Sequence, residues 1–200
     1  MKKEFIPYEA VRDNALKLGR EIARSGFVPD VIYVSLRGGA YLGNILSEYF
    51  KVLRKGQRPV FYAAVVAHSY TDIQQQSSVR VDGWTYAPEY LRSGDKVLFV
   101  DDIFDSGRTI NALVNIILER GLPRKDIKVA VHDFKEFRDS PSLPIVPDFY
   151  CRKHDLPDRA HDLWIHYLSH ELVGLSAQER QTYYIKDDPE MAEVMSVFDV

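Results

Sequence analysis

Three carboxylates and a short polar loop follow one apolar segment of the chain, at a spacing that suits the binding of a sugar phosphate. Residues 97–100 are apolar, Asp101 and Asp102 come directly after them, and Asp105 opens a polar loop over residues 105–109. Apolar side chains without alternation predict a strand that is buried on both faces and ends at the first acid. Helical spacing resumes after the loop, so backbone N–H groups at a helix start face one point. We expect a phosphate to bind there.

The residue types of this segment separate two tasks. Carboxylates bind ribose hydroxyls or a hydrated magnesium ion, and we assign both roles to Asp101 and Asp102. Backbone amides, hydroxyls and a guanidinium bind phosphate, and the residues that offer them are Ser106, Gly107, Arg108 and Thr109. The segment is not a Walker A loop, because the Gly-x4-Gly-Lys pattern is absent. The alternative interpretation is an ordinary strand, turn and helix with exposed acids.

A second strand, loop and helix near the start of the chain offers another anion site. Residues 31–34 are predicted to form a strand and residues 41–50 a helix, with Arg37, Gly38 and Gly39 between them. Glycines let a backbone approach a ligand closely, and a guanidinium can bind phosphate through two hydrogen bonds. Paired glycines after a strand are also common in simple turns, so this loop alone is weak evidence.

The two segments together resemble the type I phosphoribosyltransferases. In that family a hydrophobic strand, two acids, two hydrophobic residues, Asp, Ser or Thr, Gly and Thr form the signature for 5-phosphoribosyl-1-diphosphate (PRPP). The Arg-Gly-Gly loop is similar to the pyrophosphate loop of the 6-oxopurine branch, whose members use hypoxanthine, guanine or xanthine. That resemblance implies that Leu36, Gly38 and Gly39 contact substrate and that the peptide bond between Leu36 and Arg37 is cis. It covers roughly residues 8 to 167.

The resemblance implies catalytic roles for four residues. Arg37, together with Mg²⁺, would neutralise the departing pyrophosphate, and Asp105 would take or stabilise the proton of the incoming base. Ser69 and Tyr70 resemble the Ser-Tyr pair of a mobile loop that closes over the reacting ribose. The pair lies in a long polar segment, residues 68–86, that is predicted to be a lid or disordered. Alternating apolar residues near its end predict that part of it forms a β-hairpin.

Base recognition is implied for three further residues. Lys135 lies just past a predicted strand, residues 128–133, and resembles the lysine that contacts the exocyclic oxygen of guanine or hypoxanthine. An ammonium donor matches that oxygen and mismatches the amino group of adenine. Trp164 resembles the aromatic residue that stacks on the purine, and Ile165 the residue whose backbone meets the purine edge. Residues 166–171 depart from the Pro-Trp and acid that related enzymes carry there, so the base identity stays open.

Strands and helices alternate four times along the chain, which predicts an α/β fold. We expect a doubly wound, mainly parallel sheet with helices on both faces. A phosphoribosyltransferase domain is expected over residues 1–174, with a small hood over about residues 136–170. A C-terminal helical extension is expected over residues 175–200, where a capping box at 176–179 and an Asp-Pro pair at 188–189 each predict a helix start.

Composition excludes several classes of protein. The 200 residues are 46% hydrophobic and 28% charged, which suits one globular domain. A net charge of -3 with scattered basic residues gives no footprint for nonspecific nucleic-acid binding, so nucleic acid is not expected as a partner. A single cysteine cannot form an internal disulfide, and no apolar run approaches the ~20 residues needed to cross a bilayer. We expect a cytoplasmic protein without membrane contact.

Imidazole and carboxylate side chains near the end of the chain raise the alternative of a zinc site. The residues concerned are His154, Asp158, His161, His166 and His170. His166 and His170 have the spacing of a helical ligand pair, but residues 164–167 are predicted to form a strand. We therefore expect solvated side chains here.

The function implied by the resemblance is transfer of the phosphoribosyl group from PRPP to a purine base, with Mg²⁺ as cofactor. The base would be hypoxanthine or guanine, the products a nucleoside monophosphate and pyrophosphate, and the enzyme a homo-oligomer, either dimer or tetramer. Two alternatives stay open: a PRPP-sensing regulatory protein of the same fold, or an enzyme for a pyrimidine or another acceptor. Asp105 favours an enzyme, because the regulatory proteins that serve for comparison carry a non-acidic residue there.

Overall fold

A computed structural model describes residues 2–71, 77–140 and 143–199. The strands are β1 (Lys2–Ile6), β2 (Val31–Leu36), β3 (Phe61–Thr71), β4 (Ser77–Trp84), β5 (Val97–Phe104), β6 (Ile127–Phe137), β7 (Phe149–Leu156) and β8 (Leu163–Tyr167). The helices are α1 (Tyr8–Arg24), α2 (Gly39–Leu53), α3 (Arg108–Glu119), α4 (Ala177–Arg180) and α5 (Pro189–Met195). None of the helices in these residues has the length and apolar character that a membrane crossing requires.

Six strands form the main sheet in the order β4-β3-β2-β5-β6-β7. All neighbours are parallel except the pair β3 and β4. Val97 and Phe99 pack against α3 on one face, and Leu98 and Val100 pack against α1 and α2 on the other. Because each of these four side chains is buried on one face or the other, the first half of the strand is an unbroken apolar run. The predicted doubly wound, mainly parallel sheet is confirmed.

The strand order reverses between β2 and β5. The chain leaves β2 for α2 on one face, and it leaves β5 for α3 on the opposite face. The two loops therefore diverge at the carboxyl ends of the strands and leave a crevice between them, which is where open α/β sheets bind ligands. Both predicted anion loops flank this crevice.

Two strands are longer than the sequence predicted. β5 continues through Asp101 and Asp102 to Phe104, and β6 continues to Phe137, so Lys135 lies within its strand. The expectation that β5 ends at Asp101 was wrong. The two strands stay paired up to Phe104 and Phe134, and this pairing outweighs the low strand propensity of aspartate.

Strands β3 and β4 form a β-hairpin in the segment that was predicted to be a long polar loop. β3 runs to Thr71 and pairs with β4 in antiparallel register. The backbones of Ser69 and Tyr70 therefore lie in a strand, which confirms the expected hairpin, and closure of this segment over the site stays a prediction. Residues 72–76 and the side chains of the Ser-Tyr pair lie outside the described residues, so the catalytic role given to the pair stays a prediction.

A small second sheet pairs β1 in parallel with β8. Ile6, Val11, Ile165 and Tyr167 form its own apolar cluster over the carboxyl ends of the main sheet. We call this sheet the hood. The N-terminal strand was not predicted, because Lys2–Ile6 is mostly polar and gains its partner only from the far end of the fold. The segment 136–170 that was expected to form the hood also includes β7, which belongs to the main sheet.

The C-terminal extension packs on the hood. Ser176 and Glu179 form the expected capping box, and Asp188 caps α5 as the Asp-Pro pair predicted. The Glu179 carboxylate also binds Lys3 Nζ of β1 at 2.8 Å, and the Tyr183 ring stacks on Phe5 of the same strand at 4.2 Å. The extension thus covers the outer side of the strand that pairs with β8.

Candidate active site

The first anion loop is held tightly against β5. The Leu36–Arg37 peptide bond is cis, as expected. A Cβ atom on Gly38 would lie 2.3 Å from the Asp102 carboxylate, and one on Gly39 would lie 2.4 Å from the carbonyl oxygen of Val100. Neither glycine has a positive φ, so close packing between the two strand ends requires them. This packing brings the Arg-Gly-Gly loop directly beside the acids.

Asp101 and Asp102 point into different hollows because successive side chains of a strand alternate. Asp101 lines a hollow of about 170 Å³ with the second anion loop, and Asp102 lines the larger crevice with Arg37. Burial and the neighbouring Asp102 carboxylate raise the pKa of Asp101 well above its usual value. A cation or hydroxyl donors in this place would offset the unfavourable charge. Carboxylate oxygens of this kind fit Mg²⁺.

The second anion loop is shaped by Gly107, which has a φ of 68° and ends the turn before α3. A Cβ there would lie 2.1 Å from the Phe104 ring. Asn111 fastens the loop, because its side-chain nitrogen donates to the carbonyl of Gly107 at 3.0 Å and to that of Ile145 at 2.7 Å. The lining of the small hollow includes Ser106, Gly107 and Thr109 of the expected phosphate loop. Arg108 is exposed and lines a neighbouring hollow instead.

Asp105 and Lys135 face each other across the crevice. Lys135 Nζ lies 3.8 Å from Asp105 Oδ2 and donates to Asp162 Oδ1 at 2.7 Å and to the carbonyl of Leu163 at 2.6 Å. Arg159 contacts the other oxygen of Asp105. The sequence did not single out Asp162 or Arg159, because both come from the hood segment and have no spacing relation to the signature.

Trp164 is fixed by the chain that follows it. Its Nε1 donates to Glu171 Oε1 at 2.9 Å, and the other oxygen of Glu171 accepts from the backbone of Tyr167 at 3.3 Å. Gly174 closes against the indole, where an added Cβ would lie 2.9 Å from the ring. The side chain of Ile165 is buried in the hood, as a residue that offers only its backbone would be.

A buried carboxylate that no sequence pattern predicted lies beneath the crevice. Asp133 is inaccessible to solvent, and His132 Nδ1, His154 Nε2 and the Tyr167 hydroxyl each lie 2.6 Å from its oxygens. Burial alone would raise the pKa of Asp133, but these three hydrogen bonds outweigh burial and lower it. We call these four residues the Asp133 network.

The expectation of solvated histidines was wrong for part of the segment. His166 is fully buried beside Phe5, and His154 belongs to the Asp133 network. His170 Nε2 lies 3.2 Å from Asp102 Oδ2 at the crevice. Within the described residues no group of three or more histidine, cysteine or acidic side chains could hold a metal ion by itself.

One crevice of about 790 Å³ brings seven of the expected site residues together. It lies between the first anion loop, the ends of β5 and β6, and the hood. Its lining includes Arg37, Gly38, Asp102, Asp105, Lys135, Trp164 and Ile165. We call it the central cleft. The smaller hollow with the phosphate loop adjoins it through Ile103 and Asp105, which line both.

Comparison with known proteins agrees with this geometry. The model of the phosphoribosyl transferase domain matches residues 7–165. The bifunctional protein PyrR of Microcystis aeruginosa is 30% identical over 161 residues, which cover 80% of this chain and 86% of that protein. The hypoxanthine-guanine phosphoribosyltransferase of Canis lupus familiaris is 28% identical over 163 residues, 80% of this chain and 71% of that enzyme.

The fold itself is shared with a solved structure. A purine phosphoribosyltransferase from Pyrococcus horikoshii superposes with a TM-score of 0.64 at 20% identity, over 88% of this chain and 99% of that one. The family match covers both anion loops and the signature acids. The chain is therefore a phosphoribosyltransferase and belongs to the phosphoribosyl transferase domain family.

Proposed function

We propose that the protein transfers the 5-phosphoribosyl group from PRPP to a 6-oxopurine, hypoxanthine or guanine, and releases pyrophosphate. The observation that supports this most is the central cleft, where a guanidinium, two acids, an ammonium group and an indole from four separate segments meet. Transfer of a phosphoribosyl group to a base requires groups that bind the sugar phosphate beside groups that bind the base. The proposal therefore assigns each group to one part of the two substrates.

The sugar phosphate is proposed to lie across the two strand ends. The loop 105–109 binds the 5-phosphate through its backbone N–H groups and hydroxyls, and Arg37 binds the pyrophosphate. Asp101 and Asp102 hold the ribose hydroxyls and are the residues that would hold Mg²⁺. When bound, Mg²⁺ neutralises part of the charge on the pyrophosphate.

The base is proposed to lie between Ile103 and Trp164, both of which line the central cleft. Lys135 is already bound to Asp162 and Leu163, which leaves one N–H of its ammonium group for the exocyclic oxygen of the purine. Such a charge-assisted hydrogen bond favours a 6-oxopurine over adenine.

Bond exchange occurs at C1 of the ribose. The bond from C1 to the pyrophosphate oxygen breaks with its electron pair going to pyrophosphate, and a purine ring nitrogen forms the new bond. The positive charge that develops at C1 is favoured when Arg37 stabilises the departing anion. Asp105 accepts or stabilises the proton that the purine ring loses. Arg159 holds one oxygen of Asp105 in the free protein and so fixes the direction of the other.

A regulatory protein that senses PRPP is the second candidate, and the similarity to the bifunctional protein PyrR supports it. An enzyme for a pyrimidine or another acceptor is the third. The expected homo-oligomer also stays a prediction, which light scattering on the purified protein tests directly.

The decisive experiment for these candidates is an assay of pyrophosphate release with PRPP, Mg²⁺ and a panel of free bases. We expect turnover with hypoxanthine or guanine and little with adenine or uracil. Turnover restricted to uracil would favour the third candidate. Binding of PRPP without transfer to any base would favour the regulatory one.

A further inference from the structure

The Asp133 network joins three strands at the base of the central cleft. Asp133 lies on β6, and its carboxylate contacts His154 and Arg152 of β7 as well as Tyr167 of β8 in the hood. Its neighbour His132 extends the network to Asn14 of α1 at 3.1 Å. A buried carboxylate with this many donors is fixed in place, because every alternative position would leave charged or polar groups unpaired.

Tyr167 connects the Asp133 network to Asp102 in the central cleft. Its hydroxyl lies 2.6 Å from Asp133 Oδ2 and 3.0 Å from the backbone carbonyl oxygen of Asp102. Only 2% of the residue is exposed, so water cannot replace either contact. The hydroxyl therefore ties the hood directly to the residue that faces the central cleft.

The contact from Tyr167 supports the backbone of Asp102, where β5 pairs with a strand on one side only. β5 pairs with β2 only as far as Val100, so beyond that residue β6 is its single partner in the sheet. The contact from Tyr167 replaces part of the missing support. The Asp102 carboxylate packs against Gly38 and lies beside His170. These two neighbours restrict the positions that the carboxylate can take.

We propose that Tyr167, fixed by Asp133, is a positioning residue that holds Asp102 for binding the ribose of PRPP. This inference rests on the proposed function, because it uses the assignment of Asp102 to the ribose hydroxyls. The hydroxyl of Tyr167 bonds to the backbone of Asp102 and not to its carboxylate, so the residue acts through another and is not itself catalytic. Loss of the hydroxyl affects the sugar phosphate more than the base, whose contacts come from Lys135 and Trp164.

The test compares two matched substitutions, Tyr167→Phe and Tyr33→Phe. Tyr33 is also fully buried, and its hydroxyl donates to a backbone carbonyl, that of Tyr86, at 2.9 Å. It lies on β2 among residues of the sheet core and lines none of the site. Tyr167→Phe removes a hydroxyl that contacts both Asp133 and Asp102, and Tyr33→Phe removes one that contacts Tyr86. A purely structural role predicts a loss of thermal stability in both variants and a selective loss of PRPP affinity in neither.

We expect Tyr167→Phe to weaken PRPP binding in calorimetry with Mg²⁺ by about three- to tenfold, the worth of one buried hydrogen bond. The KM for the base should change less than about twofold, and Tyr33→Phe should lower the melting temperature but leave the PRPP affinity unchanged. Asp133→Asn, which keeps the shape of the side chain, provides a second variant with the same expected selectivity.

Two outcomes separate this inference from the proposed function. PRPP affinity equal to wild type in Tyr167→Phe, or an equal loss in Tyr33→Phe, would overturn the positioning role alone. Wild-type protein that binds PRPP but transfers to no base would overturn the proposed enzyme activity, and the calorimetric comparison would still decide the role of Tyr167.

Discussion

At the scale of single residues, the site depends on close packing at glycine positions as much as on charged side chains. We expect Gly38→Ala to destabilise the protein by about 1 to 3 kcal/mol, the usual cost of overpacking, because its Cβ would meet the Asp102 carboxylate. PRPP binding should weaken as well, since Asp102 must move. Calorimetry and thermal unfolding measure both effects.

Gly83→Ala is the matched control for that substitution. Gly83 lies in β4 with an ordinary φ, and an added Cβ would meet nothing within 4 Å. Its free energy of unfolding should stay within about 0.5 kcal/mol of wild type. An alanine at position 38 that is equally well tolerated would contradict the close packing of the first loop on β5.

Asp101 is predicted to bind ligand at a cost in stability. Its raised pKa means that the folded protein disfavours the charged form, so Asp101 stabilises least at pH values above the usual carboxylate range. We expect Asp101→Asn to raise the melting temperature of the free protein at pH 7 by about 2 to 4 °C, or about 1 kcal/mol, and to abolish PRPP binding.

The pH dependence supplies the control for Asp101. Below the unfolded pKa of a carboxyl, Asp101 is protonated in both states, and the difference between variant and wild type should vanish. A variant that is less stable than wild type at pH 7 would contradict the unfavourable charge.

The residues that the sequence predicted and those that it missed differ in one physical respect. Asp101, Asp105 and Thr109 share a single strand, loop and helix, so their spacing along the chain carries the pattern. Asp133 and Tyr167 meet only after β6 and the hood have folded against each other. A contact between distant segments leaves no local spacing to recognise.

At the scale of elements, the C-terminal extension is predicted to stabilise the hood. The hydrogen bond from Lys3, followed by that from the backbone of Ser176, lowers the pKa of Glu179 to about 2. A depressed folded pKa gives stability that is present above the unfolded value and is lost as the pH falls toward 2. We expect Glu179→Gln to melt below wild type at pH 7 and the difference to shrink across pH 4.5 to 2.

Glu193→Gln serves as the control for the extension. Glu193 lies in α5 with an exposed side chain, so neutralising it should leave the melting temperature nearly unchanged. A melting temperature of Glu179→Gln that equals the wild-type value at every pH would show that the contact with Lys3 adds no stability.

Element boundaries were predicted well where pattern and pairing agree. α2 was predicted over residues 41–50 and spans Gly39–Leu53, because its buried residues Leu42, Leu46 and Phe50 keep helical spacing. β7 was missed, because it mixes charged and apolar residues and, among the described residues, is the last strand at one edge of the sheet. Edge strands need little apolar character and so carry a weak pattern.

At the scale of the whole molecule, function depends on the convergence of parts that are far apart in sequence. The strand order places the two anion loops on either side of one crevice, and the hood closes over it with Trp164 and Tyr167. The sheet and its crevice could be predicted, because alternating strands and helices allow few arrangements. The hood could not be predicted in full, because one of its two strands comes from the N-terminus.

We propose that Asp105 takes or stabilises the proton of the base, while other residues bind PRPP. Turnover and PRPP affinity of Asp105→Asn, measured on the same preparation, test it most directly. We predict a fall in turnover of roughly 10²- to 10⁴-fold, the usual worth of a positioned acid or base. The dissociation constant for PRPP with Mg²⁺ should move by less than about tenfold, because Asp101 and Asp102 remain. Near-normal turnover with the best base would contradict the account.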